Sequence, residues 1–300
     1  MTLPEGITWD GVGIVNELDF VTALRSLPLH PGAQGLRDDC ALIEIGDEVL
    51  VINMDSMAED THFKPSADLA DVAWKLVALN LSDIASKGAE PIGVLLGYAL
   101  GGDEDQRFLA GLADALTEYD VPLLGGDTIA TTGASTFSIT AIGRATCRPI
   151  PSRTRATPGE ALFVTGPLGC AMLGFEGDKA HLEAFNRPRP RLVEGIALAP
   201  HVGAMMDISD GLLLDAYRMA EASDVTVMID PQLVPVAAPD RLDECIRWGD
   251  DYELLFTAAW DAELPVHAVR IGLVEESGDA PLMLGASSFT DPDSLGYRHG

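Results

Sequence analysis

Along this chain the hydrophobic pattern switches between a period of two and a period near 3.6, which predicts strands alternating with helices. Two apolar runs, residues 41–45 and 49–54, flank Gly46-Asp47-Glu48 and predict a β-hairpin. Before it, Leu18, Val21 and Leu24 recur at helical intervals within residues 16–27, and Pro28 ends the pattern. Residues 68–87, DLADVAWKLVALNLSDIASK, give the clearest helix, with Gly88 suited to the position just past its end and Pro91 beyond. Residues 91–100 predict a buried strand, 105–119 a helix, and 121–124 a short apolar run stopping at Gly125-Gly126-Asp127-Thr128, which is expected to turn. Phe137, Ile139 and Ala141 alternate with polar neighbours in a strand over 136–143.

The second half repeats the style. A strand over 161–165 runs into the turn GPLG, a helix over 192–199 stops at Pro200, and a short strand over 203–206 leads into Asp207-Ile208-Ser209-Asp210-Gly211. A helix over 212–222 follows, and a strand over 254–257 comes after the acidic turn Trp248-Gly249-Asp250-Asp251-Tyr252-Glu253. Residues 148–157, RPIPSRTRAT, form a Pro- and Arg-rich boundary, so two α/β domains of similar length are expected, 1–147 and 148–300. Residues 1–13 and 296–300 lack a period and are expected to be loose.

Composition narrows the function classes. With 47% hydrophobic and 22% charged residues the chain is that of a soluble globular protein. Its apolar stretches, such as 92–100, are too short for a membrane span, and its first residues lack a secretory pattern. Cys40, Cys147, Cys170 and Cys245 form no CxxC pair, which favours a reduced, cytoplasmic chain over a disulfide framework. A net charge of −28 argues against nucleic-acid binding and repels any anionic substrate that metal ions or local arginines do not attract.

That charge gives the acids their interest. In the hairpin register Asp38 or Asp39 falls opposite Asp55, where like charges about 5 Å apart repel unless a cation or a shared proton intervenes. Solvated turn acids are the plainer alternative. Asp83 shares the helical face of Val72, Leu76 and Leu79, and a carboxylate in an apolar stripe needs a partner or a metal. Lys87, four residues on, is the plain partner. Paired glycines before Asp127 let a backbone approach a phosphate closely. Ser209 or Asp210 suits a helix N-cap, and the same helix start also favours phosphate oxygens. Hard oxygen ligands at several strand ends suit Mg²⁺ shared with phosphates. No GxxxxGK[ST] loop and no HRD…DFG pair occurs. The residues by themselves lead to a two-domain α/β protein that handles phosphate with Mg²⁺.

The ordered motifs GLRDDCAL, MD followed by EDTHF, KLVALNLSDIASKGAEP, LLGGDT, FSITAIGRA, SRTRATPGEALFVTGPLG, MDISDGLLLD and GDDYELLFT resemble the thiamine-monophosphate kinase family. That family lies within the AIR-synthase-like (PurM-like) ATP-binding superfamily. The resemblance runs from about residue 17 to 297. It implies two α/β domains, the first with a four-stranded sheet that pairs with its twin into a barrel-like homodimer interface. It implies transfer of the ATP γ-phosphoryl group to thiamine monophosphate, giving thiamine diphosphate and ADP. It places Asp39, Asp55, Asp83, Asp127, Asp207 and Asp210 on Mg²⁺ positions, with Asp55, Asp83 and Asp210 at the catalytic centre. Gly126, Asp127, Arg153 and Ser209 fall on nucleotide positions, and His62, Asp250 and Tyr297 on substrate positions. For Arg153, His62 and Tyr297 the plain readings are a linker charge, a surface histidine and a tail residue.

Two departures stand out. Asn53 and Met54 replace the hydroxyl residues the family places before the metal-strand aspartate, and Asp250 replaces a glutamate. Met54 and Asp250 keep open a non-catalytic homologue that binds nucleotide or thiamine phosphate, and a ligase or cyclase of the AIR-synthase-like superfamily is a second alternative.

Overall fold

The computed structural model describes residues 17–101, 104–130 and 133–297. The expected loose segment 1–13 lies outside them, as does 298–300.

The chain opens with helix α1 (Glu17–Leu24) and a 3-10 turn at Pro31–Leu36. The predicted hairpin follows as β1 (Ala41–Ile45) and β2 (Glu48–Ala58). Ile45 faces Glu48, so its loop is the two residues Gly46-Asp47. Next come α2 (Leu69–Ser86), β3 (Ala89–Leu100), α3 (Asp105–Glu118), β4 (Leu123–Ala130) and β5 (Thr136–Ala145). They form a five-stranded sheet in the order β1-β2-β5-β3-β4, one strand more than the resemblance implies, because the short β1 joins it. Only β3 and β4 run parallel, joined across α3; the remaining pairs are antiparallel.

The second sheet gathers later residues. In chain order its surroundings are β6 (Ala161–Val164), α4 (Cys170–Phe175), α5 (Leu182–Asn186), α6 (Leu192–Leu198), β7 (Met205–Asp207) and α7 (Leu212–Ser223). Then follow β8 (Val225–Ile229), α8 (Leu242–Trp248), β9 (Leu254–Ala258), β10 (Val269–Glu276), β11 (Leu282–Leu284) and β12 (Ser287–Phe289). The seven strands lie in the order β12-β11-β8-β10-β6-β9-β7, with β7 at one edge.

Helix α2 holds the two sheets together. The Asp68 carboxylate caps it by accepting from the Ala70 N–H at 3.0 Å. At its other end Gly88 takes a φ of +57° with Ala199 against it, so a Cβ there would lie 2.1 Å from the Ala199 Cβ. The helix packs on β2, β5 and α3 on one side and on β7 and α6 on the other. It is therefore buried nearly all round, with the polar Lys75, Asn80, Ser82, Asp83 and Ser86 among its buried residues.

One expectation fails here. Gly125-Gly126-Asp127-Thr128 is strand, not turn: Leu95 pairs with Gly125 and Gly97 with Asp127 in the parallel β3–β4 ladder. The two glycines take φ of +153° and +152°, and a Cβ on Gly126 would fall 1.9 Å from the Leu96 carbonyl oxygen. The pair lets β4 approach β3 closely.

Candidate active site

A cleft of about 1090 Å³ opens where β2, α2, β7 and the start of α7 meet. Asp39 reaches it from the loop before β1, Asp55 from β2, Asp83 from α2 and Asp207 from the end of β7. Ser209, Asp210, Arg153, His62, Asp250 and Tyr297 also line it. Gly126 and Asp127 do not: both stand exposed on β4.

Period two brings Asp55 to the cleft. Val49, Val51 and Asn53 point inward from β2, and Asp55 continues that face past the end of the apolar run. Asp83 sits on the buried face of α2 beneath it. One carboxylate oxygen each from Asp39, Asp83 and Asp207 lies within 4.8 Å of the others. Burial holds the Asp83 carboxyl well above the usual carboxylate range, and the charges of Asp55, Asp207 and Asp39 add to the effect. Burial and then Asp39 push Asp207 up to about 8, although the Ser82 hydroxyl, donating to its Oδ2 at 2.6 Å, acts the other way. Asp39 goes down to about 2: burial alone would raise it, but Arg153 and Lys87 outweigh burial. Its Oδ2 is buried without a hydrogen-bond partner. Crowded buried acids, one ionised with an orphaned oxygen, suit a hard divalent cation. Mg²⁺ fits, with Asp39, Asp83 and Asp207 as the set that would hold it and Asp55 alongside.

Lys87 does not partner Asp83. Its ammonium reaches back to Asp38 Oδ1 at 2.5 Å, with both side chains buried. The plain explanation for Asp83 therefore fails, and Asp38 takes a structural role.

Arg153 also leaves its plain reading behind: its guanidinium hydrogen-bonds Asp39 and lies 3.9 Å from Asp38. His62 Nδ1 accepts from the Ala58 N–H at 3.0 Å, so the ring is anchored at the edge of the cleft. Tyr297 is tied by its N–H to the Asp210 carbonyl at 2.9 Å. Asp250 has a φ of +60°, accepts from Lys75 at 2.6 Å and takes the Tyr252 hydroxyl at 2.9 Å. Lys75 thus already neutralises this shorter substitute for glutamate.

The N-cap expectation for Ser209 or Asp210 is wrong. Gly211 starts α7, without a side-chain cap. Asp215, one turn inside, turns back instead, and its Oδ2 accepts from the N–H groups of Ser209 at 3.1 Å and Asp210 at 3.0 Å. Burial pushes Asp215 up to about 7, against the pull of Arg218. Arg218 bridges Asp215 and Asp210. Sequence reasoning missed both; for Asp215 its place as an acid in the first turn of an amphipathic helix was the one signal.

The comparisons follow the same geometry. Residues 37–145 match the family described as "AIR synthase related protein, N-terminal domain". A relative from Caulobacter vibrioides named thiamine-monophosphate kinase is 34% identical, over 90% of this chain and 86% of its own. The crystal structure of thiamine-monophosphate kinase from Stenotrophomonas maltophilia K279a superposes with a TM-score of 0.72 at 30% identity, covering 91% of this chain and 96% of that one. The structure of AaThiL complexed with AMPPCP and TMP shares the fold, with a TM-score of 0.83 at 24% identity over 95% and 97% of the two chains.

Proposed function

The chain belongs to the thiamine-monophosphate kinase family, and from that premise we propose that it transfers the γ-phosphoryl group of ATP to thiamine monophosphate. The bond between the γ-phosphorus and the β–γ bridging oxygen breaks, a phosphate oxygen of thiamine monophosphate bonds the same phosphorus, and ADP leaves. The acceptor is already an anion, so it needs no general base and no covalent enzyme intermediate. The obstacle is anion meeting anion in a chain of net charge −28. Bound Mg²⁺ would supply the neutralising charge and hold the phosphates in line.

The protein's own groups divide the remaining work. Asp39, Asp83 and Asp207 make the cation site, and Asp55 and Asp210 extend it toward the cleft. Arg153, with Arg218 behind Asp210, brings positive charge to the nucleotide side, where Ser209 offers a hydroxyl. His62, Asp250 and Tyr297 face the acceptor. Gly126 and Asp127 serve nucleotide and metal in this reading only if closure, or a second copy, brings β4 to the cleft. The observation that carries the proposal is the convergence of Asp39, Asp83 and Asp207, the latter two buried.

The same proposal takes residues 1–147 and 148–300 as two domains, each with its own sheet, and the chain as a cytoplasmic homodimer. Among the described residues no helix is long and apolar enough to cross a membrane. Exposed apolar side chains on the first sheet, Leu95 and Ile129 among them, support the dimer.

The test is release of ADP from ATP and Mg²⁺ with and without thiamine monophosphate. Release that depends on thiamine monophosphate is expected. ADP release indifferent to the acceptor contradicts the proposal, and nucleotide binding without turnover favours a non-catalytic homologue.

A further inference from the structure

Behind the acids stands a pair of buried amides. Asn53, on β2, is 4% exposed, and Asn80, on α2, is fully buried. Asn53 Nδ2 donates to Asn80 Oδ1 at 3.2 Å and to Asp83 Oδ2 at 2.9 Å. Asn80 Oδ1 also accepts from the Asp55 N–H at 3.0 Å, and Asn80 Nδ2 donates to the Leu76 carbonyl at 2.8 Å. Asn53 Oδ1 has no partner. Turned over, this amide would aim its oxygen at two other oxygens and leave its hydrogens unpaired, so the two acceptors fix its orientation. A serine or threonine hydroxyl has a single hydrogen and could serve Asn80 or Asp83 but not both. The amide therefore bridges where a hydroxyl cannot, at the cost of one orphaned carbonyl.

We propose that Asn53 is a positioning residue for cation capture. Its amide commits one oxygen of Asp83 to the protein and leaves the other for the cation. Through Asn80 it also fixes the backbone at Asp55, so that acids carried by a strand and a helix keep one spacing. The proposal rests on the reading of the acid cluster as a Mg²⁺ site. Groups that orient metal ligands set affinity, and their loss typically weakens binding about 10- to 100-fold.

The test is calorimetric titration of Mg²⁺ into the full chain loaded with a non-hydrolysable ATP analogue, for wild type, Asn53→Ala and Asn53→Ser. The Mg²⁺ dependence of turnover and the Mg²⁺-free melting temperature are measured beside it. Asn53→Ala is expected to lose about 10- to 100-fold in Mg²⁺ affinity and to raise the half-saturating Mg²⁺ concentration alike, with kcat at saturating Mg²⁺ nearly kept. Asn53→Ser, with one donor, should fall between, and it carries the comparison if the alanine variant does not fold. Wild-type Mg²⁺ affinity in a folded variant overturns the proposal, as does a fall in kcat with no change in half-saturation. A wild-type protein that binds no Mg²⁺ overturns the metal reading, and this proposal with it.

Discussion

Burial and then the neighbouring acids hold the Asp83 carboxyl well above the usual carboxylate range and push Asp207 up to about 8. An acid whose pKa is higher folded than unfolded stabilises the fold below its unfolded pKa and loses that contribution as pH climbs through the folded value. With Asp207 at about 8 and Asp215 at about 7, the Mg²⁺-free protein should lose stability steadily from about pH 4 to pH 8. Mg²⁺ held at this cluster would compete with the proton on Asp207, so it should bind better as pH rises. The rise in melting temperature on adding Mg²⁺ should be larger at pH 8 than at pH 6, and calorimetric melts at both pH values check it; an equal or smaller rise at pH 8 would contradict the metal site. Asp83→Asn should lower turnover by about 10³-fold while the circular dichroism spectrum and melting curve stay folded. Near wild-type turnover would make its place in the apolar stripe purely structural. At this scale the sequence was legible where an acid interrupts an apolar pattern, as at Asp83, or ends one, as at Asp55 and Asp207. Asp215, Asn80 and the amide of Asn53 were not, because their importance depends on which backbone folds across them.

Among the elements, α2 and the β1–β2 hairpin were readable from period and punctuation. Partner choice was not. Lys87 stands four residues from Asp83 but pairs with Asp38, because the last turn of α2 is buried against the loop before β1, and Lys87 Nζ also lies 3.5 Å from the Met205 carbonyl. Lys87→Met should therefore strand a buried carboxylate and cost about 3–5 kcal/mol. Adding Asp38→Leu should recover much of that loss, as measured by urea unfolding. If the single variant is as stable as wild type, the ion pair does not hold the elements together. The GGDT segment was misread for a related reason: paired glycines announce an unusual backbone, and whether it bends or lies against a parallel neighbour is decided by β3, far back in the chain.

For the whole molecule, charge and apolar surface pull in opposite directions. A chain carrying −28 resists self-association, yet Leu95 and Ile129 are 37% and 58% exposed on the first sheet. If that sheet is the dimer surface, Leu95→Asp with Ile129→Asp should give a monomer by sedimentation equilibrium. The wild-type dimer should also tighten with salt, because screening weakens repulsion between like-charged copies. A wild-type protein that is monomeric at every salt concentration would contradict the dimer. The alternation of strand and helix patterns made a two-sheet α/β architecture legible. Its joining along α2 was not, since the pattern of a helix does not say which elements cover it.

Direct transfer is the central claim, and one measurement tests it most closely. ATP labelled in its γ-phosphoryl group is mixed with excess enzyme, Mg²⁺ and thiamine monophosphate, and the reaction is quenched through a single turnover. The label should move from ATP to thiamine diphosphate in one phase, with none on the protein at any time. Label in free phosphate alone, or held on the protein before it reaches product, would contradict the account.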